Sequence, residues 1–272
     1  MSRLLLRYLT LLAAVLTGVT LTSVPATASD LPPLRIMTYN IHHGAGLDGV
    51  VDLPRIAEVI EDSGAEVVTL QEADRHFGPR SFYADQPAEL AALLHMYVVY
   101  GANLDLAPLE PGGHRRQYGT AILSRHPIRT WSNTLLPRAP GQEQRGLLTA
   151  ELLIHGTPLR IATTHLTAGP ATERLAQAGQ VAALLAHRPA TVLTGDFNAT
   201  PTAPELTPLF RAFHDTWPPS MGPGYTYPTE APTSRIDFIT TTPDLRAQTP
   251  AIPRTTASDH LPVTVSLTRA PR

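Results

Sequence analysis

Residues 34–72 read LRIMTYN, IHHGAGLDGVVD, LPRIAEVIED, SGA and EVVTLQE, and the alternation of these pieces decides the fold class. Leu34 to Tyr39 is an apolar run of strand length, and Glu66 to Leu70 is a second one. Between them, Leu53 to Asp62 puts Leu53, Ile56, Ala57 and Ile60 on one helical face. Strand, crossover helix, strand is the unit that builds a parallel pair. Both runs stop at polar side chains, Asn40 after the first and Gln71-Glu72 after the second.

The same alternation continues. Pro87 to Leu94 reads as a helix, Tyr97 to Tyr100 and Gly119 to Ser124 as strands. Ile128 to Leu136, Leu147 to Ile154 and Pro158 to Thr164 read as antiparallel neighbours, with Gly156 turning between the last two. Ala171 to Leu185 is the clearest helix, and Thr191 to Thr194, Ile236 to Thr240 and Val263 to Leu267 close the chain. Helix-crossed and hairpin-like strands together predict an α/β protein of two packed mixed β-sheets with helices outside. Two long loops, Leu104 to Gln117 and Pro218 to Ser234, are rich in proline, glycine or arginine, a length that points to mobility or function.

Composition narrows the chemistry. Cysteine is absent, which excludes disulfides, thiolate metal sites and a cysteine nucleophile. Every one of the 21 basic residues is arginine, which excludes lysine Schiff bases and P-loops. The first residues have a basic start at Arg3 and Arg7, an apolar stretch from Leu9 to Val24 and small residues at Ala26-Thr27-Ala28. That is the pattern of a secretory signal peptide, with cleavage expected after Ala28 and residues 29–272 forming one domain outside the cell. An uncleaved anchor is the competing reading, but Thr10, Thr17, Thr20 and Thr22 dilute the stretch. Removing residues 1–28 takes two arginines and no acid, leaving 19 bases against 23 acids, a formal charge of −4. Such a balance disfavours tight, salt-dependent nucleic-acid binding. No apolar segment after Asp30 suggests stable membrane insertion, and a monomer is expected.

What stands where each apolar strand stops is the functional signal. Besides Asn40 and Glu72, the series holds His165 after Leu159–Thr164, Asp196 and Asn198 in Gly195-Asp196-Phe197-Asn198, and Asp237 in Arg235-Ile236-Asp237. Ser258-Asp259-His260 then precedes the last strand. Asp196 and Asn198 lie two positions apart, so an unbroken strand would point both to one side. Taken singly each reads more readily as a turn, cap or satisfied core residue, and their joint placement is what argues for a site. Oxygen donors without sulfur suit a hard cation such as Mg²⁺ or Mn²⁺, and two histidines supply proton transfer near neutral pH.

The ordered series Thr38-Tyr39-Asn40-Ile41, Gln71-Glu72, Tyr118-Gly119 through Ser124-Arg125, Thr164-His165-Leu166, Gly195-Asp196-Phe197-Asn198, Arg235-Ile236-Asp237 and Ser258-Asp259-His260 resembles the endonuclease/exonuclease/phosphatase superfamily over about residues 34 to 267. The resemblance implies a four-layer α/β sandwich, DNase I-like, with the site at the edge between the sheets. It implies that Glu72, helped by Asn40, holds one or two divalent cations with Asp259 close by. Asp196 and His260 would orient or deprotonate the attacking water, and Asp237 would support His260. Asn198 would donate to a phosphoryl oxygen, His165 would be the second proton-transfer group, and Tyr118 would contact phosphate. The reaction expected is in-line attack of water on a phosphoester.

Three readings of the substrate follow. A secreted phosphodiesterase for a small or lipid-derived phosphodiester fits the charge and leader best, a secreted Mg²⁺-dependent nuclease is the alternative, and a catalytically inactive binding module is the third. Arg75, Arg115 and Arg116 are candidates to grip phosphate, His42 and His43 to line the metal cleft, and Trp217, Tyr225 and Tyr227 to stack on a base or headgroup or to pin their loop.

Overall fold

The computed structural model of the chain describes residues 33–270, so the expected leader lies outside the described residues. Twelve strands and four α-helices follow in the order β1 (Leu34–Asn40), α1 (Leu53–Ser63), β2 (Val67–Arg75), α2 (Gln86–Leu94), β3 (Tyr97–Leu106), β4 (Arg116–Ser124), β5 (Ile128–Leu135), β6 (Gly146–Ile154), β7 (Thr157–His165), α3 (Ala171–Leu185), β8 (Thr191–Asp196), α4 (Thr207–Ala212), β9 (His214–Asp215), β10 (Asp237–Thr241), β11 (Leu245–Ala251) and β12 (Val263–Arg269). They form two six-stranded sheets, ordered β11-β12-β1-β2-β4-β3 and β5-β6-β7-β8-β10-β9.

Three apolar interiors make four layers. Ile36, Val67, Ile122, Leu148, Ile161, Val192 and Val265 fill the space between the sheets. Met37, Val68, Leu70 and Leu123 turn the other way, onto Ile56 and Ile60 of α1 and Leu90 and Leu94 of α2. Ala162, Leu193, Phe197 and Phe238 pack against Ala178, Val181 and Leu185 of α3 and Leu209 of α4. Strands buried on both faces read as continuous apolar runs, which is why the central ones were legible as sequence. Asp52 caps α1 by accepting the Arg55 N–H at 3.0 Å, and Gly64 ends it in the left-handed region.

Each sheet has one parallel pair at its centre, β1 with β2 across α1 and β7 with β8 across α3. The C-terminal ends of these four strands meet at one edge of the sandwich. There the inter-sheet space turns polar: Thr194 Oγ1 donates to Thr69 Oγ1 at 2.8 Å, and Gln71 Nε2 donates to Thr163 Oγ1 at 3.0 Å. These bonds cross between the sheets and fix their relative position under the site.

The sequence reading missed β11, the short α4 and the two-residue β9, and it ended several strands early. The Leu104 to Gln117 loop is shorter than expected, because β3 and β4 run on to leave only residues 107–115 outside strands. Strand β2 does not stop at Leu70 either. It continues to Arg75 through a register shift between Leu70 and Ala73, with Glu72 in the left-handed region at φ 59°. That bulge aims Glu72 out of the ladder. Among the described residues no helix is long and apolar enough to cross a membrane.

Candidate active site

Strand register assembles the centre. His165 pairs with Asp196 between parallel β7 and β8, and Asp237 pairs with Asp196 between antiparallel β8 and β10. Asp196 therefore sits between His165 and Asp237 on three adjacent strands. Asn40 reaches it from the other sheet, donating from Nδ2 to Asp196 Oδ2 and to Glu72 Oε1, each at 3.1 Å. The loop before β12 returns His260 to the group: Ser258 Oγ donates to the Asn40 carbonyl at 2.7 Å and accepts from the His260 N–H at 3.2 Å.

The result is one buried carboxylate facing two imidazoles. Asp196 Oδ2 lies 3.5 Å from His165 Nε2 and 3.7 Å from His260 Nε2. His260 Nδ1 is 2.9 Å from Asp237 Oδ2, while Asp237 Oδ1 is buried without a hydrogen bond. All four residues are at most 5% exposed.

Their environments push the two histidines apart. Burial pulls His260 down, but Asp237, Asp196 and Asp259 outweigh it and carry it up to about 10. His165 is driven well below its ordinary value by burial, then by Arg145 and His260. Arg145 Nη1 donates to His165 Nδ1 at 2.9 Å, and because arginine has no acceptor this leaves the His165 proton on Nε2, facing Asp196. Asp196 itself is raised to about 7 by burial and by Asp237, against the pull of His260. A cationic imidazole, a neutral one and a carboxyl poised near neutrality thus share one point.

Asn198 differs from its expected geometry. Strand β8 ends at Asp196, and Asn198 follows in the left-handed region at φ 50°, so no strand periodicity aligns the two. Instead Asp196 Oδ1 accepts the Asn198 N–H at 2.8 Å, an Asx turn, while Asn198 Nδ2 gives one hydrogen to the Leu166 carbonyl at 2.9 Å. The turn reading and the site reading hold together: the turn uses one Asp196 oxygen and the cluster uses the other.

Glu72 and Asn40 form the opposite pole. Glu72 is partly exposed, and only one of its oxygens is taken by Asn40. Asn40 Oδ1 accepts the His42 N–H at 3.1 Å. Asp259, one third exposed, lies 3.9 Å from His42 Nδ1, and no hydrogen bond ties it to Asn40 or Glu72. Glu72 and the Asn40 amide oxygen, with Asp259 nearby, make an all-oxygen set whose chemistry fits a hard divalent cation. Asp196, Asp237 and His260 also offer ligand atoms within 4.8 Å of one another, and within that trio Asp237 Oδ2 and His260 Nδ1 are joined at 2.9 Å.

The arginines picked from sequence lie elsewhere. Arg75 is 3.2 Å from Asp85, Arg115 pairs with Asp105 at 2.6 Å, and Arg116 donates to the Ala107 carbonyl. Arg145 and Arg80 border the site instead. Arg145 is 8% exposed and also meets Glu143 at 2.9 Å. Arg80 stands 5.3 Å over the Tyr118 ring, whose phenol is raised well above its ordinary value by burial and then by Glu72. His42 and His43 both adopt positive φ and contact edge to face at 4.5 Å, and burial and Arg80 lower His43 to about 4. Trp217 pins its loop by donating to the Gly222 carbonyl, Tyr225 is exposed, and Tyr227 packs 4.6 Å from the His260 ring.

Comparison with known proteins agrees with this architecture. An endonuclease/exonuclease/phosphatase from Beutenbergia cavernae is 29% identical, with a TM-score of 0.71 over 88% of this chain and 72% of that one. An endonuclease/exonuclease/phosphatase family protein from Bacteroides thetaiotaomicron is 17% identical, with a TM-score of 0.72 over 89% and 96%. The human Nocturnin catalytic domain is 20% identical, with a TM-score of 0.67 over 88% and 95%. No curated protein sequence matches the chain. The model of the Endonuclease/Exonuclease/phosphatase family matches residues 37–260, and the chain belongs to that family, whose members hydrolyse phosphoesters and usually depend on a divalent metal.

Proposed function

We propose that the protein is a secreted, divalent-metal-dependent phosphodiesterase that cleaves a small or lipid-derived phosphodiester by direct attack of water. The observation that carries the reading is the buried Asp196 carboxylate, 3.5 Å from His165 Nε2 and 3.7 Å from His260 Nε2, with its proton affinity pushed up by burial and Asp237. A general base works best when its proton affinity matches the working pH, so Asp196 accepts the proton of the attacking water. His260 donates from Nε2 to the oxygens that gain charge, while Asp237 holds its Nδ1. His165, kept neutral by burial and Arg145, donates its Nε2 proton to the same developing charge. The second Nδ2 hydrogen of Asn198 and the protonated Tyr118 phenol would serve as further donors to the phosphoryl group.

Glu72, Asn40 through Oδ1 and the nearby Asp259 would hold Mg²⁺ or Mn²⁺. When bound, such a cation neutralises phosphoryl and leaving-group charge. Residues 1–28 serve as a cleaved leader and residues 29–272 act as a monomeric extracellular enzyme. The formal charge of −4 after cleavage favours a small or lipid-derived ester over nucleic acid.

The test is a screen of the chain from residue 29 against bis(p-nitrophenyl) phosphate, lipid-headgroup diesters and plasmid DNA with Mg²⁺, Mn²⁺ and Ca²⁺. Metal-dependent release from the small or headgroup diesters is expected. Cleavage of plasmid at low enzyme concentration with the small diesters untouched would give the nuclease reading instead, and no hydrolysis of any ester would leave the inactive binding module.

A further inference from the structure

Arg80 is held in a way that a loop arginine does not need. Asp74 is completely buried, and Arg80 grips both its oxygens, donating from Nε at 2.9 Å and from Nη2 at 2.7 Å. Ser81 Oγ adds a third donor to Asp74 at 2.7 Å. Gln86, also completely buried, accepts the Asp74 N–H at 2.9 Å and donates to the His43 carbonyl at 2.6 Å. One frame therefore ties Arg80 to the turn that follows Asn40. Phe77 lies 4.6 Å beneath the guanidinium and Tyr118 5.3 Å from it.

This frame consumes only one edge of the guanidinium. No hydrogen bond is made by Nη1 among the described residues, and the side chain is 43% exposed. The guanidinium stands 5.3 Å from the Tyr118 ring, and the frame that holds it reaches the His43 carbonyl in the turn after Asn40, so it borders the cleft beside that turn. Burying a carboxylate completely is costly, and apolar side chains would close the same loop at less cost. What the buried Asp74 adds is a guanidinium of fixed orientation with a free fork, the geometry that matches a phosphate or carboxylate.

We propose that Arg80 is a specificity residue that binds a second anionic group of the substrate beside the scissile phosphate, so the preferred substrate is a phosphoester carrying a further phosphate or carboxylate. This inference rests on the phosphoesterase reading above.

A matched pair of esters tests it: thymidine 5′-(p-nitrophenyl phosphate) with and without a 3′-phosphate, assayed with Mg²⁺. The wild-type chain should favour the 3′-phosphorylated ester by about 10-fold or more in kcat/KM, the effect of one charge-assisted contact. Arg80→Gln should erase that preference and leave the rate on the simpler ester within about threefold. Because Arg80→Gln strands the buried Asp74, the double variant Asp74→Asn/Arg80→Gln removes both charges and should give the same loss of preference. No wild-type preference, or an equal loss on both esters in the double variant, would overturn the proposal. Calorimetric binding of thymidine 3′,5′-bisphosphate against thymidine 5′-monophosphate separates the two readings. If neither ester is hydrolysed, the phosphoesterase reading fails. An Arg80-dependent preference for the bisphosphate would still support the subsite, and equal affinities would overturn it.

Discussion

Replacing Asp237 by Asn removes the charge that holds His260 protonated while keeping an oxygen 2.9 Å from Nδ1. Carrying a histidine from its ordinary value to about 10 is worth about 5 kcal/mol, at ~1.4 kcal/mol per tenfold change in proton affinity. Asp237 comes first among the groups that raise His260, ahead of Asp196 and Asp259, and a hydrogen bond to a charged group of this kind is worth roughly 1.5–3 kcal/mol. In Asp237→Asn the His260 titration, followed by imidazole NMR, should fall by more than one pH unit, and kcat should drop about 10²- to 10⁴-fold. Stability should follow the same linkage. Because the folded value exceeds the unfolded one, the wild-type pair stabilises fully below about 6.5 and loses that contribution as pH rises through about 10. The Tm gap between wild type and variant should therefore be widest near pH 6 and close above pH 10. Asp237 Oδ1 already lacks a partner, so loss of the charge should not unfold the domain. A variant that keeps more than about a tenth of wild-type kcat, a change under ~1.4 kcal/mol in barrier, would refute a part for the Asp237–His260 pair in turnover.

Other expectations follow from the same geometry. The rate should rise through about pH 7 as Asp196 ionises and fall near pH 10 as His260 loses its proton, and a profile flat between pH 5 and 8 would contradict Asp196 as base. Arg145→Ala leaves His165 Nδ1 without its donor, so kcat should fall about 10- to 100-fold while Mg²⁺ affinity, read by titration calorimetry, stays within about threefold. Gly195 has φ 137°, and a Cβ there would stand 1.9 Å from the Thr164 carbonyl oxygen, so Gly195→Ala should lower urea stability by about 3 kcal/mol or more. A loss under about 1 kcal/mol would show that the β7–β8 contact yields.

The parts of the fold that sequence made legible are those where burial and periodicity coincide. Helix α1 showed its apolar face, and β1, β2 and β8 showed as short apolar runs, whereas the Asp52 cap emerges only in the structure. Strand β11 did not, because LRAQTPA is an edge strand with only Leu245 buried, contains Pro250 and slips register after Gln248. Site residues at strand ends were legible for the same reason as the strands. Arg80 and Arg145 were not, since their roles depend on Asp74 in β2 and on His165, 20 positions away, partners that no local pattern announces. Arg75, Arg115 and Arg116 stood near motif residues in sequence, yet each meets a neighbour in its own hairpin or loop. The strand periodicity that would align Asn198 with Asp196 ends two residues before Asn198, so only the motif itself marks that residue.

The most direct measurement compares the wild-type chain from residue 29 with Asp196→Asn in hydrolysis of bis(p-nitrophenyl) phosphate, each with Mg²⁺ and with EDTA. Turnover is expected only for wild type with Mg²⁺, with Asp196→Asn slower by about 10³-fold or more. Hydrolysis that survives EDTA, or an Asp196→Asn rate within tenfold of wild type, would contradict a metal-dependent phosphoesterase built around Asp196.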